Sequence, residues 1–143
     1  MVAVIIHWDH KKAMDVSNMR YIYQLWDYVC RSYTVPIQNT IFVDCECSLG
    51  ALSPPNPVVY ALEDALRIVI PQGHTPVYVH GSGKELLPNF EHPEKACYIV
   101  GPNYAKMELP PDQLSVRIPL YGQPADLFCQ TVLPIVLYDR ACK

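Results

Sequence analysis

The sequence lacks any run of about 18 apolar residues, so no membrane-spanning helix is expected. Its N-terminal stretch, MVAVIIHWDH, also lacks the basic segment of a signal peptide, and its apolar run is short. A buried first strand explains that run better. The protein is therefore predicted to be cytoplasmic, with no membrane partner.

Neither sign of charge is in large excess. Lys and Arg number 11 against 14 for Asp and Glu, which leaves a formal net charge of −3. This balance argues against broad electrostatic binding to nucleic acid, and no DNA partner is expected. A local basic patch, or one created by a dimer, stays compatible with it.

The six cysteines have no spacing typical of a zinc site, so no metal is predicted. Because the chain carries no secretory signal, free and buried thiols are the default expectation. The cysteines are Cys30, Cys45, Cys47, Cys97, Cys129 and Cys142.

Half of the 143 residues are hydrophobic, and a chain of this length buries enough surface to form a core without disulfides or metals. No internal repeat and no second domain is visible. The sequence therefore predicts a single domain that spans residues 1–143.

Apolar runs, which predict buried strands, alternate along the chain with apolar residues at helical spacing. Strands are expected at 2–8, 40–44, 77–80, 96–100 and 115–120, and helices at about 17–33, 57–69, 84–89 and 124–141. Asp15 or Ser17 is expected to cap the first helix. Pro57 should lie in the first turn of the second helix, and Pro134 should kink the last.

This alternation predicts an α/β fold with a mostly parallel sheet and helices on both faces. Ligands bind such sheets beyond the carboxyl ends of the strands, so polar residues there are candidates for a site. They are His7, Asp9 and His10, followed by residues 44–47, 80–84, 101–104 and 121–126.

Three segments of the C-terminal half carry a recognisable pattern. Residues 77–83 (VYVHGSG) form a strand and a loop of small residues, and residues 98–103 form a strand that ends in Gly-Pro-Asn. Residues 116–120 read Val-Arg-Ile-Pro-Leu, and the helix after them ends Leu-Tyr-Asp at 137–139. In this order, over about residues 77–140, the segments resemble SPOUT-class RNA 2′-O-ribose methyltransferases.

The resemblance implies a deep trefoil knot in the C-terminal half, about residues 77–143, that binds S-adenosylmethionine. It implies an RNA methyltransferase that acts on tRNA or rRNA, with the ribose 2′-oxygen among the acceptors. Backbone groups read the adenine in this family, so loops of glycine and apolar residues suit it. The implied cofactor-binding residues are Val79, His80, Gly81, Ser82, Gly83, Val100, Gly101, Pro102, Asn103, Ile118, Pro119, Leu120 and Tyr121.

The resemblance also implies a homodimer. The family dimerises through its first and last helices, and the second subunit completes the site. Apolar residues of those helices that suit such an interface are Trp26, Leu127, Leu133 and Leu137.

Three positions depart from the family pattern at catalytic places. The family has an asparagine at the start of the first helix and an arginine six residues later, whereas this chain has Asn18 and then Gln24. Asn103 replaces the glutamate after Gly-Pro, and residues 126–128 (Asp-Leu-Phe) replace a serine-x-asparagine. Arg20 lies one helical turn from Gln24 and is a candidate substitute for the arginine. The implied polar catalytic set is Arg20, Gln24, Asn103 and Asp126.

Two other functions stay open. Loss of the family's catalytic residues would leave a non-catalytic binding module that keeps the fold. The edge of the sheet could instead hold a metal, as in a metal-dependent hydrolase, lined by His7, Asp9 and His10 with Asp44, Cys45, Cys47 and His80. Their spacing matches no known zinc motif.

Some residues allow more than one role. The segment Gly-Ser-Gly-Lys at 81–84 resembles a phosphate-binding loop, but Tyr78 and Glu85 stand where a P-loop needs a glycine and a hydroxyl residue. Asp126 could be a general base or a cap of the last helix. Four aromatic residues of the first helix could stack on bases or pack in the core or a dimer. They are Tyr21, Tyr23, Trp26 and Tyr28.

Overall fold

The computed structural model describes residues 1–8, 15–102, 108–121 and 129–143. Its strands form one seven-stranded sheet in the order β3-β2-β1-β6-β4-β7-β5, and every pairing is parallel. The strands are β1 (Ala3–His7), β2 (Thr40–Val43), β3 (Val58–Val59), β4 (Thr75–Val79), β5 (Glu85–Leu86), β6 (Ala96–Val100) and β7 (Leu114–Arg117).

The strands at the centre of the sheet are continuous apolar runs. Every residue of β6 is buried, and so is every residue of β1 except His7 at its end. A strand covered by helices on both faces has no solvent side and needs no alternating polar residues. For this reason the sequence predicted both strands, and the bounds of β6 match the prediction.

Helices cover both faces of the sheet, as the sequence predicted. Helices α1 (Val16–Ser32) and α3 (Cys129–Cys142) pack against one face, with Trp26, Leu133 and Leu137 in the same buried cluster. Helix α2 (Leu62–Val69) packs on the other face through Ala65 and Val69. None of the helices in the described ranges is long and apolar enough to cross a membrane.

The burial of Trp26, Leu133 and Leu137 corrects one expectation. They were predicted to form a dimer interface, but each is at most 3% exposed within the core of one chain. The apolar residues that the same two helices expose are different ones, and they include Tyr21, Leu25, Tyr28, Ile135 and Tyr138. Apolar residues lie on two sides of these helices, and only the packing shows which side meets the sheet. Leu127 lies outside the described residues.

The helix predicted at 57–69 begins later than expected, at Leu62. The side-chain amide of Asn56 donates to the carbonyl of Thr40 at 3.1 Å, and the amide of Phe42 donates to the carbonyl of Pro57 at 3.0 Å. These bonds hold the chain beside β2 as a short parallel strand, β3. Pro57 therefore lies before a strand and not in the first turn of a helix.

The prediction of a short helix at 84–89 is also wrong for the first part of that segment. Glu85 and Leu86 pair with Val116 and Arg117 of β7, and only Leu87–Asn89 forms a single 3-10 turn. Strand pairing with a distant segment overrides the local preference of this stretch. The predicted strand 115–120 ends at 117.

The predicted helix ends are partly confirmed. Asp15 occupies the N-cap position of α1, although its side chain makes no capping hydrogen bond. Pro134 lies inside α3, as predicted. The trefoil knot depends on the course of residues 103–107 and 122–128, which lie outside the described residues, so the knot stays a prediction.

Candidate cofactor site

The three segments that resemble the methyltransferase family follow neighbouring strands. Val79 of β4 lies opposite Val100 of β6 on one side and Val116 of β7 on the other. The chain therefore leaves the sheet at the same edge in all three strands. The implied cofactor-binding residues at 79–83, 100–102 and 118–121 are brought together at this carboxyl edge.

The loop after β4 is held against β7 by backbone hydrogen bonds. The amide of His80 donates to the carbonyl of Val116 at 3.1 Å, and the amide of Gly83 donates to the carbonyl of His80 at 2.9 Å. The amide of Lys84 donates to the hydroxyl of Ser115, which is buried, at 2.9 Å. These bonds turn the chain sharply and return it beside β7 as β5.

Gly83 is required by the close approach of two backbone segments. A Cβ at this position would lie 2.4 Å from the carbonyl carbon of Val116, a separation that real Cβ atoms do not show. The guanidinium of Arg117 donates to the carbonyl of Gly83 at 2.7 Å and so stabilises the same contact between the loop and β7. No side chain can be added at 83 without moving the loop or β7.

The side chain of His80 shapes the exposed part of this loop. The amide of Ser82 donates to Nδ1 of His80 at 3.0 Å. Because an amide can only donate, Nδ1 accepts and the ring proton lies on Nε2. Among the described residues, the Gly81 amide has no hydrogen-bond acceptor. The loop therefore offers the Gly81 amide and the His80 Nε2–H to a ligand.

The loop after β6 also depends on a glycine. Gly101 has a φ of +92°, which favours glycine, and a Cβ there would lie 2.9 Å from Cβ of His7. The ring of His7 approaches from β1, with Nδ1 at 3.2 Å from the carbonyl of Val100. This Nδ1 must carry the proton, because a carbonyl can only accept.

The third segment, after β7, is apolar and partly open. Ile118, Pro119 and Leu120 are half-buried, whereas Tyr121 is 95% exposed. Ile118 packs against the core cluster on the α1 and α3 face. Together with the two glycine loops, this segment contributes backbone groups and apolar side chains to the described part of the edge.

Of the four implied catalytic residues, only Arg20 and Gln24 lie within the described structure. Arg20 and Gln24 lie on α1 with exposed side chains, and neither has a hydrogen bond or ion pair with the described parts of the three loops. Asn103 and Asp126 lie outside the described residues. Their catalytic roles therefore stay predictions.

The metal hypothesis gains no support where the structure can be described. Asp44 is 2% exposed, and its carboxylate accepts from the hydroxyl of Ser48 at 3.3 Å and the amide of Leu49 at 2.8 Å. Cys45 and Cys47 are exposed. No three potential metal ligands meet within residues 1–8, 15–102, 108–121 and 129–143, and Asp9 and His10 lie outside these ranges.

The free thiols divide into two classes. Burial raises the pKa of Cys97 to about 12 and the pKa of Cys30 to about 11, as expected for inert core thiols. Cys129 is half-buried, whereas Cys45, Cys47 and Cys142 are exposed. The expectation of buried thiols is therefore confirmed for only part of the set.

A polar network that the sequence did not predict joins α3 to the segment before β6. Nε2 of His92 lies 2.7 Å from the carboxylate of Asp139, and Nδ1 lies 2.6 Å from the hydroxyl of Tyr98. Lys143 pairs with Asp139 at 2.8 Å, and Arg140 donates to the carbonyl oxygen of Pro93 at 2.6 Å and to that of Glu94 at 2.6 Å. His92 and Asp139 are 47 residues apart, so no local sequence pattern predicts that they form a pair.

Burial decides the protonation of this network. It lowers the pKa of His92, although the hydrogen bond to Asp139 opposes the shift, so the ring is neutral at pH 7. Nε2–H then donates to Asp139, and Nδ1 accepts from the hydroxyl of Tyr98. Burial alone would raise the pKa of Asp139, but hydrogen bonds from His92 and Lys143 hold it below the ordinary carboxyl value.

An open cavity of about 550 Å³ lies next to this network. Its lining includes Phe90, His92, Arg140 and Lys143. The cations are already engaged: Arg140 with carbonyl groups, and Lys143 with Asp139 and the carbonyls of Leu87 and Phe90. The network therefore stabilises the end of α3 and is separate from the three loops at the carboxyl edge.

Neither a protein-family model nor a curated protein matches this chain. Solved structures do match it. An RNA 2′-O ribose methyltransferase superposes with a TM-score of 0.69 at 14% identity, over 99% of this chain and 55% of that one. A structure described as giving insights into the 2-OH methylation of C/U34 on tRNA has a TM-score of 0.65 at 12% identity, over 98% of this chain and 93% of that one.

The SpoU methyltransferase AviRb from Streptomyces viridochromogenes, solved with AdoMet, matches with a TM-score of 0.65 at 14% identity. The match covers 96% of this chain and 55% of AviRb, so this chain spans little more than half of that protein. Such low identities establish the fold alone. The chain therefore has the fold of the SpoU/TrmH RNA methyltransferases, the SPOUT class that its C-terminal segments resemble.

Proposed function

We propose that this chain binds S-adenosylmethionine at the carboxyl edge of β6, β4 and β7 and acts on RNA. The observation that carries this proposal is the convergence of the three family-like segments on neighbouring strands, at Val79, Val100 and Val116. Ligands of parallel α/β sheets bind beyond this edge. The SpoU/TrmH fold of the chain supports the same site.

The residues at this edge fit such a ligand. Gly83 and Gly101 have no Cβ, so their loops pack directly against Val116 and His7 and are held in place at this edge. The Gly81 amide and the His80 Nε2–H are donors without acceptors among the described residues. Ile118 and Leu120 add apolar surface. An adenosine group needs this combination of backbone polar groups and apolar contacts.

The bound cofactor would supply a sulfonium methyl group for transfer to an RNA oxygen or nitrogen. This chain would bind and orient the cofactor. One of its polar side chains would take up the proton that the RNA oxygen or nitrogen loses. Gln24 cannot supply the permanent positive charge of the family's arginine. Arg20 on the same helix is the proposed substitute.

We propose that the chain forms a homodimer through the exposed sides of α1 and α3, which we call the tyrosine face. It consists of Tyr21, Leu25, Tyr28, Ile135 and Tyr138. Tyr21, Leu25 and Tyr28 follow one another at helical spacing along α1, and α1 packs beside α3. A second copy would cover these side chains and place Arg20 and Gln24 near the loops of its partner.

Calorimetric titration with S-adenosylmethionine and S-adenosylhomocysteine tests the cofactor proposal. We expect about one site per chain with micromolar affinity. No heat at millimolar ligand would overturn the proposal and leave only the fold.

Transfer of a radiolabelled methyl group to total tRNA and rRNA separates an enzyme from a non-catalytic module. Gln24→Arg restores the family's charge, so we expect it to raise the transfer rate, whereas Arg20→Ala should lower it. Arg31→Ala is the matched control, because Arg31 is an exposed cation of α1 that pairs with Asp27. Cofactor binding without transfer by the wild type or by Gln24→Arg would favour the non-catalytic module.

Sedimentation velocity tests the dimer. Tyr28→Asp places a charge on the tyrosine face and should shift the protein to a monomer. Tyr60→Asp is the matched control, because Tyr60 is 65% exposed and Tyr28 is 67% exposed, but Tyr60 lies outside α1 and α3. A wild-type protein that sediments as a monomer at micromolar concentration would contradict the dimer.

A further inference from the structure

Two histidines flank the glycine that begins the loop after β6. Ile6 and Val79 both lie opposite Val100, so the next residue of each strand falls in one row across the edge. That row is His7, Gly101 and His80. The glycine at its centre has no side chain, and each imidazole bonds to a backbone group of the loops.

The two rings have opposite hydrogen-bonding roles. His7 donates from Nδ1 to the carbonyl of Val100 at 3.2 Å, immediately before the turn at Gly101. His80 accepts at Nδ1 from the amide of Ser82 at 3.0 Å, inside its own loop. The partners are backbone groups with fixed polarity, so each bond dictates the position of the ring proton.

The contact of His80 with Ser82 has the form of an Asx turn. In such a turn, an Asn or Asp side chain accepts from the amide two residues further on and sets the direction of the chain. Nδ1 of an imidazole stands at the same distance from the backbone as Oδ1 of Asn or Asp. His80 therefore bends its loop as an acceptor would, while Gly81 stays exposed with its amide available.

We propose that His7 and His80 are positioning residues that hold the two glycine loops in the shape that binds the cofactor. This rests on the proposed function. His7 acts by donating to Val100 and by packing against Gly101, and His80 acts by accepting from Ser82. Neither ring is assigned a chemical step.

Substitutions that keep or invert the polarity of each bond test this proposal. His7→Ala removes the bond to Val100 and His80→Ala removes the bond to Ser82, so we expect about fivefold to tenfold weaker S-adenosylmethionine binding in each. Asn supplies a donor or an acceptor and should restore affinity to within about twofold at both positions. Asp supplies only acceptors, so His80→Asp should bind well whereas His7→Asp should lose at least about tenfold.

Thermal unfolding of every variant identifies those that fail to fold. The proposal would be overturned if His7→Asp and His80→Asp lost the same amount of cofactor affinity. It would also be overturned if the folded Asn variants did not regain affinity.

Nitrogen NMR of the two imidazoles in the wild type gives a measurement that does not require cofactor. We expect the proton of His7 on Nδ1 and that of neutral His80 on Nε2, with a slowly exchanging Ser82 amide. Opposite tautomers would overturn the positioning roles even if the cofactor binds. If the expected tautomers are found but no cofactor binds, the proposed function fails and the loop geometry stands.

Discussion

The two ends of β6 are built in opposite ways. Beyond its carboxyl end, the chain depends on Gly101 and Gly83, which are required because a side chain would not fit. Before its amino end, His92 is held by Asp139 and Tyr98 in a partly buried network of charged and polar side chains. Within the described residues, the paired side chains of His92, Asp139 and Lys143 thus stabilise α3, while the proposed ligand site relies on backbone groups and two histidines.

A search for clusters of paired polar side chains would therefore point to the amino end of β6 and not to the proposed site at its carboxyl end. Every ring atom of His92 that can form a hydrogen bond has a partner. At the carboxyl edge, in contrast, the Gly81 amide has no acceptor among the described residues. Groups that are already satisfied stabilise a fold, and groups left open to solvent are available to a ligand.

The largest effects are expected from adding one methyl group at the carboxyl edge. Gly83→Ala forces β7 or its loop to move, and Gly101→Ala must also adopt a positive φ. We expect each to weaken cofactor binding by at least about tenfold and to destabilise the protein by about 1–3 kcal/mol. Calorimetry and urea unfolding measure the two effects.

Gly50→Ala is the matched control, because a Cβ at Gly50 meets nothing within 4 Å. It should change neither affinity nor stability. Normal binding by a folded Gly83→Ala protein would remove the glycine loops from the proposed site.

The second-largest effect should lower the stability of the protein and leave its cofactor affinity nearly unchanged. His92→Ala removes the acceptor of the Tyr98 hydroxyl and one donor to the Asp139 carboxylate, which keeps its ion pair with Lys143, so we expect a loss of about 1–3 kcal/mol in the free energy of unfolding. Cofactor affinity of the folded protein should stay within about twofold. Arg67→Ala removes an exposed ion pair with Asp64 and should cost no more than about 0.5 kcal/mol. A strong loss of affinity in His92→Ala would show that the two ends of β6 are coupled.

The third effect is a dependence of stability on pH. Because the folded pKa of His92 is lowered, the unfolded chain binds its proton first, and stability falls as the pH drops through the ordinary imidazole value of about 6.5. The lowered pKa of Asp139 adds a further loss as the pH falls through the carboxyl range, near about 4 and below. Urea unfolding between pH 8 and about 3 measures both.

His92→Ala should be less sensitive than the wild type between about pH 7 and 5.5, because the titrating ring is gone. Equal slopes in that range would assign the acid sensitivity to other groups.

The smallest effect concerns Cys97, which lies in β6 between the two regions. With a pKa raised by burial to about 12, this thiol should resist iodoacetamide at pH 8, and Cys30 should resist it too. The exposed Cys45, Cys47 and Cys142 should react first, as peptide mass spectrometry can establish. Early modification of Cys97 would mean that β6 opens locally.

Several elements were predictable because their signal is local. The apolar run of β6 and the helical spacing of α1 are readable within one segment, since burial of a strand or of a helix face selects residues at fixed intervals. The order of the three family-like segments also predicted the fold, whereas the position of the candidate site stays a prediction. The conformations that Gly83 and Gly101 require were not readable, because each depends on a neighbouring strand.

The sequence by itself thus determined the α/β alternation, the central strands and the segments that meet at the carboxyl edge. Tertiary structure decided the short strands at Val58–Val59 and Glu85–Leu86, which form only because β2 and β7 lie beside them. It also decided which side of α1 is buried and that His92 meets Asp139. The physical reason is the distance along the chain over which each signal acts. Periodicity is a property of one segment, whereas strand pairing depends on which distant segment the folded chain brings beside it.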